Sequence, residues 1–166
     1  MDRVIWKTNV PFSINDSQLE LIQNCFATPY PFNNDWVYKV YDFFDSSFLF
    51  DDEKALVILI TAFEMVFLKK EKYKKEKLAK RSAVYFGDSD TEISQIYQEI
   101  KVCYSARSNY VHEGKSIQDL ESKVHFLRNL LRKFILDNKD TNMMKSVLIQ
   151  QLKLKVDGLQ HLFPNT

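Results

Sequence analysis

Apolar residues recur three and four apart along most of this chain, the period of helices that bury one face. The clearest stripe is Ile93, Ile96, Tyr97, Ile100, Cys103 and Tyr104. It predicts a helix that opens at Asp90-Thr91-Glu92 and ends near Glu113-Gly114. A second stripe, Leu120, Val124, Leu127, Leu131 and Phe134, predicts a helix over 117–136, and a last helix follows over about 142–162. Residues 55–68 are apolar on every side, the pattern of a central helix covered by its neighbours. Asp51 and Asp52 suit its positive N-terminal end. Upstream, 34–44 form an aromatic-rich helix with Trp36, Tyr38, Tyr41, Phe43 and Phe44, preceded by breaks at Pro29 and Pro31. Before those prolines, Ser13 or Asp16 caps a short helix through Cys25. Residues 69–77 are a charged run, after which the apolar pattern resumes over 78–86 and Gly87 fits a helix C-cap.

Composition agrees with that pattern. The 166 residues contain only three Gly and four Pro, too few for the many tight turns of an all-β protein. The fold expected is all-α, a single-domain bundle of about five to seven helices. Residues 1–45 form an N-terminal helical extension packed on the core, 46–140 the core, and 141–166 a C-terminal helix. The formal net charge of +1 gives no global pull toward nucleic acid, so any RNA-binding surface must be a local patch. Cys25 and Cys103 lie far apart with no zinc or disulfide spacing, and read as reduced, buried thiols. The first residues carry no apolar leader, and 55–68 is too short to span a bilayer and contains Glu64. A cytoplasmic protein without a membrane partner is therefore expected.

Two charged residues stand out against this background. Arg107 falls on the stripe of Ile93, Ile100 and Tyr104, and Glu64 lies inside the most apolar helix. A charge on a buried face is costly unless paired, so Glu64 and Arg107 are expected to interact, directly or through water. Taken alone, such a pair is more readily structural than catalytic. His112 comes five positions after Arg107, about 140° further around a regular helix. Alone, a histidine in the last helical turn is often just a favourable charge at the C-terminal dipole. Ser108 and Asn109, four and three residues before it, are able to orient its ring. The lysine-rich run over 69–80, interleaved with Glu71, Tyr73 and Glu76, reads more naturally as a solvated face or loop than as an RNA contact. The aromatics around Trp36 read as a core or interface stripe before a base-stacking platform. His125 and His161 have no chemistry around them. No phosphate loop and no metal-ligand cluster is present, and neither cofactor nor metal is expected.

Three blocks, in order, resemble a known family. They are Val57-Ile58-Leu59-Ile60-Thr61-Ala62-Phe63-Glu64, Leu78-Ala79-Lys80-Arg81-Ser82-Ala83-Val84-Tyr85-Phe86-Gly87, and Tyr104-Ser105-Ala106-Arg107-Ser108-Asn109-Tyr110-Val111-His112-Glu113-Gly114. Together they resemble the Apea-like HEPN domains over about residues 50 to 137. The last block matches that family's Arg-Ser, apolar residue, His signature. The resemblance implies a small helical bundle that dimerises with its Arg-x(4–6)-His motifs facing each other. Active members are metal-independent endoribonucleases, acting as toxins or antiviral defence effectors. It further implies that Arg107 holds the scissile phosphate, that His112 is the general base or acid, and that Asn109 orients the motif. Glu64, Ser108 and Tyr110 are supporting residues. In many such nucleases the polar residue follows the Arg directly, whereas here Ser108 takes that place and Asn109 comes one later. The partners implied are RNA, a second copy of the chain, and a cognate antitoxin or larger defence complex. The alternative is a catalytically inactive HEPN module that binds RNA, nucleotide or protein, or simply dimerises.

Overall fold

In a computed structural model, residues 34–163 are described, and every regular element among them is helical. Six α-helices follow one another: α1 (Asp35–Ser46), α2 (Asp52–Phe67), α3 (Lys74–Phe86), α4 (Asp90–Glu113), α5 (Leu120–Asn138) and α6 (Lys145–Gly158). A 3₁₀ turn at Gln160–Leu162 closes the described chain. The all-α bundle predicted from the periodicity is therefore the fold. The short helix expected through Cys25 lies outside the described residues.

Local chemistry explains most boundaries. Asn34 caps α1, its side chain accepting from the Trp36 backbone N–H. Asp51 accepts from the Lys54 backbone N–H at 3.0 Å and opens α2. Ser89 accepts from the Glu92 N–H while Glu92 reaches back to the Asp88 N–H, a reciprocal cap that starts α4. Gly114 ends α4 in the left-handed region, with φ +63°. The start of α5 differs from the expected 117, because Asp119 adopts a left-handed φ of +49° and delays the helix to Leu120. The last helix is also shorter than expected, running from Lys145 and giving way to the 3₁₀ turn.

The central helix is α2, which packs against α1, α3, α4 and α5. Along it Ala55, Leu56, Leu59, Ile60, Phe63, Val66 and Phe67 are fully enclosed. Its far end enters an aromatic cluster. Phe67 packs on Phe63 (ring centroids 5.8 Å), Phe86 (5.8 Å) and Phe134 (6.0 Å), drawing α2, α3 and α5 together. The α3–α4 hairpin turns through Gly87-Asp88-Ser89, and α6 lies on α3. Trp36 belongs to this packing as well, donating from Nε1 to the Met143 carbonyl at 3.0 Å. Cys103 is buried, which pushes its thiol up to about 12. No helix among the described residues is long and apolar enough to cross a membrane.

Among the described residues the buried charged side chain is not Arg107 but Arg81, only 3% exposed. Its Nη1 donates to the Phe67 carbonyl at 2.7 Å and to Glu71 Oε1 at 2.6 Å, and its Nη2 to Glu71 Oε2 at 3.1 Å. Glu71 also accepts from the Lys69 backbone N–H and pairs with Lys77 at 3.0 Å. The charged run after α2 is thus not simply a solvated face. Its first half is a loop clamped onto the core by one carboxylate, and α3 begins only at Lys74.

Candidate functional site

The last turns of α4 carry the Arg107–His112 motif, and the helix distributes its side chains over two faces. At about 100° per residue, Arg107, Tyr110 and Val111 fall within an arc of about 100°. Ser105, Asn109 and His112 fall within about 60° on the other side, in line with Lys101. Arg107 and His112 are roughly 140° apart, as the spacing predicts.

On the first face, Arg107 is half-buried and its Nε is enclosed without a hydrogen-bond acceptor. The expected direct pair with Glu64 does not form. The Glu64 carboxylate, on α2, instead accepts from the Tyr104 hydroxyl at 3.1 Å and lies 3.9 Å from Lys74 Nζ. Tyr104 reaches the carboxylate from one turn before Arg107 and takes the place reserved for the guanidinium. Burial raises the Tyr104 hydroxyl pKa, the adjacent Glu64 charge adds to the rise, and Arg107 opposes it. Arg107 therefore stays within electrostatic reach of this carboxylate without being neutralised by an ion pair. Glu64 itself is only half-buried, with its side chain 20% exposed. Partial solvation and a tyrosine donor suffice for it, which is why no arginine is needed.

The same side of α4 meets an open apolar groove of about 390 Å³, lined by Phe50, Lys54, Val57, Ile58, Tyr110 and Val111. The loop before α2 supplies its rim and leaves Phe48, Leu49 and Phe50 exposed, Leu49 by 74%. That loop is anchored rather than loose. Arg128 of α5 donates to the buried Ser47 hydroxyl and carbonyl, and its guanidinium lies 4.3 Å from the Phe48 ring centroid.

On the second face, His112 is exposed in the final turn. Neither Ser108 nor Asn109 hydrogen-bonds its ring, so the orienting contact expected from their spacing is not made. Asn109 is exposed and lines a different groove, of about 520 Å³, together with Ser105, Lys75, Lys101, Lys115 and Lys123. Lys101 of this groove pairs with Glu76 at 2.7 Å and donates to Tyr97 at 3.0 Å. Among the described residues no group of three His, Cys, Asp or Glu side chains is placed to hold a metal ion. His125 and His161 are exposed, apart from both grooves.

Periodicity singled out Arg107 and Glu64, and the motif singled out His112, but neither showed Tyr104 as the partner of Glu64, the apolar groove or the lysine groove. The lysine groove left a trace in the sequence. Lys101, Ser105, Asn109 and His112 form a polar stripe beside the apolar one on the same helix. Lys75, Lys115 and Lys123 come from other segments, and no local pattern joins them to it. Compared with protein-family models, curated proteins and solved structures, the chain matches none.

Proposed function

We propose that this chain is an HEPN-type, metal-independent endoribonuclease that works as a homodimer, a toxin or defence effector acting on cytoplasmic RNA. The observation that carries this reading is Arg107, whose guanidinium is half-sheltered and lacks a carboxylate partner. A sheltered cation with free donors is suited to grip a phosphodiester and to stabilise the charge that grows on it in the transition state. His112, exposed a turn and a half later, supplies the proton transfers. The ribose 2′-oxygen attacks phosphorus and loses its proton to a base, while the bond to the 5′ oxygen breaks and that oxygen takes a proton from an acid. The products are a 2′,3′-cyclic phosphate and a 5′-hydroxyl.

Because Arg107 and His112 point to different sides of α4, one helix is poorly arranged to bring both to one phosphate. A second copy seated on the apolar groove beside Tyr110 and Val111 brings two motifs together and covers Phe48, Leu49 and Phe50. Incubating the wild type and His112→Ala with RNA in EDTA, then mapping the cut ends, tests the reading. Cyclic-phosphate ends from the wild type alone are expected, with a loss of at least about 100-fold in the variant. Equal cleavage by both sinks it.

A non-catalytic HEPN module is the second reading, favoured by the missing hydrogen bond to the His112 ring. RNA that is bound but left intact in the same experiment selects it.

A further inference from the structure

We propose that the groove on the Asn109 side of α4 is the track along which the backbone of single-stranded RNA runs to the motif, with Lys75, Lys115 and Lys123 as its phosphate contacts. The proposal rests on the RNA-cutting reading above and adds where the strand lies.

Four lysines and no carboxylate line this groove, in a protein whose net charge is only +1. They converge from four segments, since Lys75 stands on α3, Lys101 on α4, Lys115 on the loop after it and Lys123 on α5. The four are not equally available. Lys101 is tied to Glu76 at 2.7 Å and serves as a fixed wall. Lys115 pairs only with Glu113, and both side chains are largely exposed, so a phosphate displaces that carboxylate at small cost. Lys123 donates to the Gln118 and Asp119 carbonyls, which aims its ammonium and leaves its charge unpaired by a carboxylate. Lys75 has no ion pair.

The contrast with the groove between α3 and α6 is informative. Lys77, Lys80, Arg81 and Lys153 line it, but so do Glu71 and Asp157, and Glu71 alone is bound to two of the four cations. The α4 groove, by contrast, has no carboxylate among its lining residues. A positively charged groove is the element that tracks the backbone of a single strand, and Ser105 and Asn109 add polar side chains along this one. Helical geometry supplies the direction. Lys101, Ser105, Asn109 and His112 fall within about 80° on one face of α4, so a strand in the groove leads toward the histidine. Asn109 becomes a residue of the track, which accounts for its place one position away from where the motif needs an orienting group.

The test uses the full chain carrying His112→Ala, so that RNA is not consumed, and a labelled single-stranded oligoribonucleotide. Fluorescence anisotropy is read from about 50 to 200 mM salt, where the slope reports phosphate contacts. In this background the double variant Lys75→Gln/Lys115→Gln is expected to bind at least about fivefold more weakly and to flatten the slope by about 1.4, with Lys123→Gln alone flattening it by about 0.7. Lys153→Gln/Lys155→Gln on α6 removes equal charge and is expected to leave affinity and slope near those of the parent. Parent-like binding by the groove variants, an equal loss in the α6 control, or no RNA binding by the parent each overturns the track. Cleavage separates the two readings. A wild type that binds through these lysines yet leaves RNA intact in EDTA sinks the nuclease and leaves the track standing. Unchanged KM and kcat after the double substitution in an active wild type sink the track and leave the nuclease standing.

Discussion

Glu71 is the carboxylate that holds the buried Arg81 guanidinium in place. Burial alone pushes the Glu71 carboxyl up, yet hydrogen bonds from Arg81, the Lys69 backbone and Lys77 hold it well down, at about 2. A folded-state pKa below the unfolded value means the contribution is fully present above about pH 4.5 and is lost as pH falls toward about 2. We expect this group to contribute on the order of 2 kcal/mol at neutral pH. Glu71→Gln should cost about 2–4 kcal/mol, because it leaves the Arg81 guanidinium buried without its counter-charge. Urea midpoints at about pH 7 and pH 3 check both statements, since the variant should lose less than the wild type across that window. A midpoint unchanged by the substitution would show that Glu71 does not hold Arg81. Sequence reasoning placed the buried pair at Glu64 and Arg107 because both sit within apolar periodicity. It could not see that Glu71, in a run that looks solvated, folds back under α3, nor that a tyrosine one turn earlier takes Glu64.

Among the elements, the distribution of apolar and aromatic positions located all six described helices, and side-chain caps at Asn34, Asp51 and Ser89 fall where the local chemistry puts them. What local pattern could not state is why a given residue sits at a junction. Gly87 looks like a left-handed cap, but its φ is −85°, open to any residue. Its lack of a side chain matters for another reason. A Cβ there would lie 2.7 Å from Ile93 Cγ1 and 2.8 Å from the Ile93 backbone nitrogen, so α3 and α4 could not turn so tightly. Gly87→Ala should therefore cost about 2 kcal/mol and lower Tm by roughly 4–8 °C. Thermal melts followed by circular dichroism measure this, and a Tm within a degree or two of wild type would mean the hairpin relaxes freely.

On the whole molecule, the apolar groove beside Tyr110 and Val111 lies open at the surface. An anchored loop presents Phe48, Leu49 and Phe50 there, and in the proposed dimer a second copy covers them. Phe50→Glu with Val111→Glu, both at exposed positions, should leave the fold stable and turn a dimer into a monomer in analytical ultracentrifugation. RNA cleavage should fall with the dimer if the motifs of two copies cooperate. A dimer of undiminished affinity in this variant would place the interface elsewhere.

The sequence by itself determined the all-α class, the central position of α2, the positions of the helices and the angular separation of Arg107 from His112. These follow from period, capping chemistry and 100° per residue, all of which act over a few neighbouring positions. Tertiary structure alone decided which charges meet. Glu71 reaches Arg81 from ten residues away, Tyr104 reaches Glu64 from forty, and four separate segments bring lysines to one groove. Pairing at such distances depends on how the helices pack and on which side chain arrives first at a shared partner. No local pattern in the chain records that.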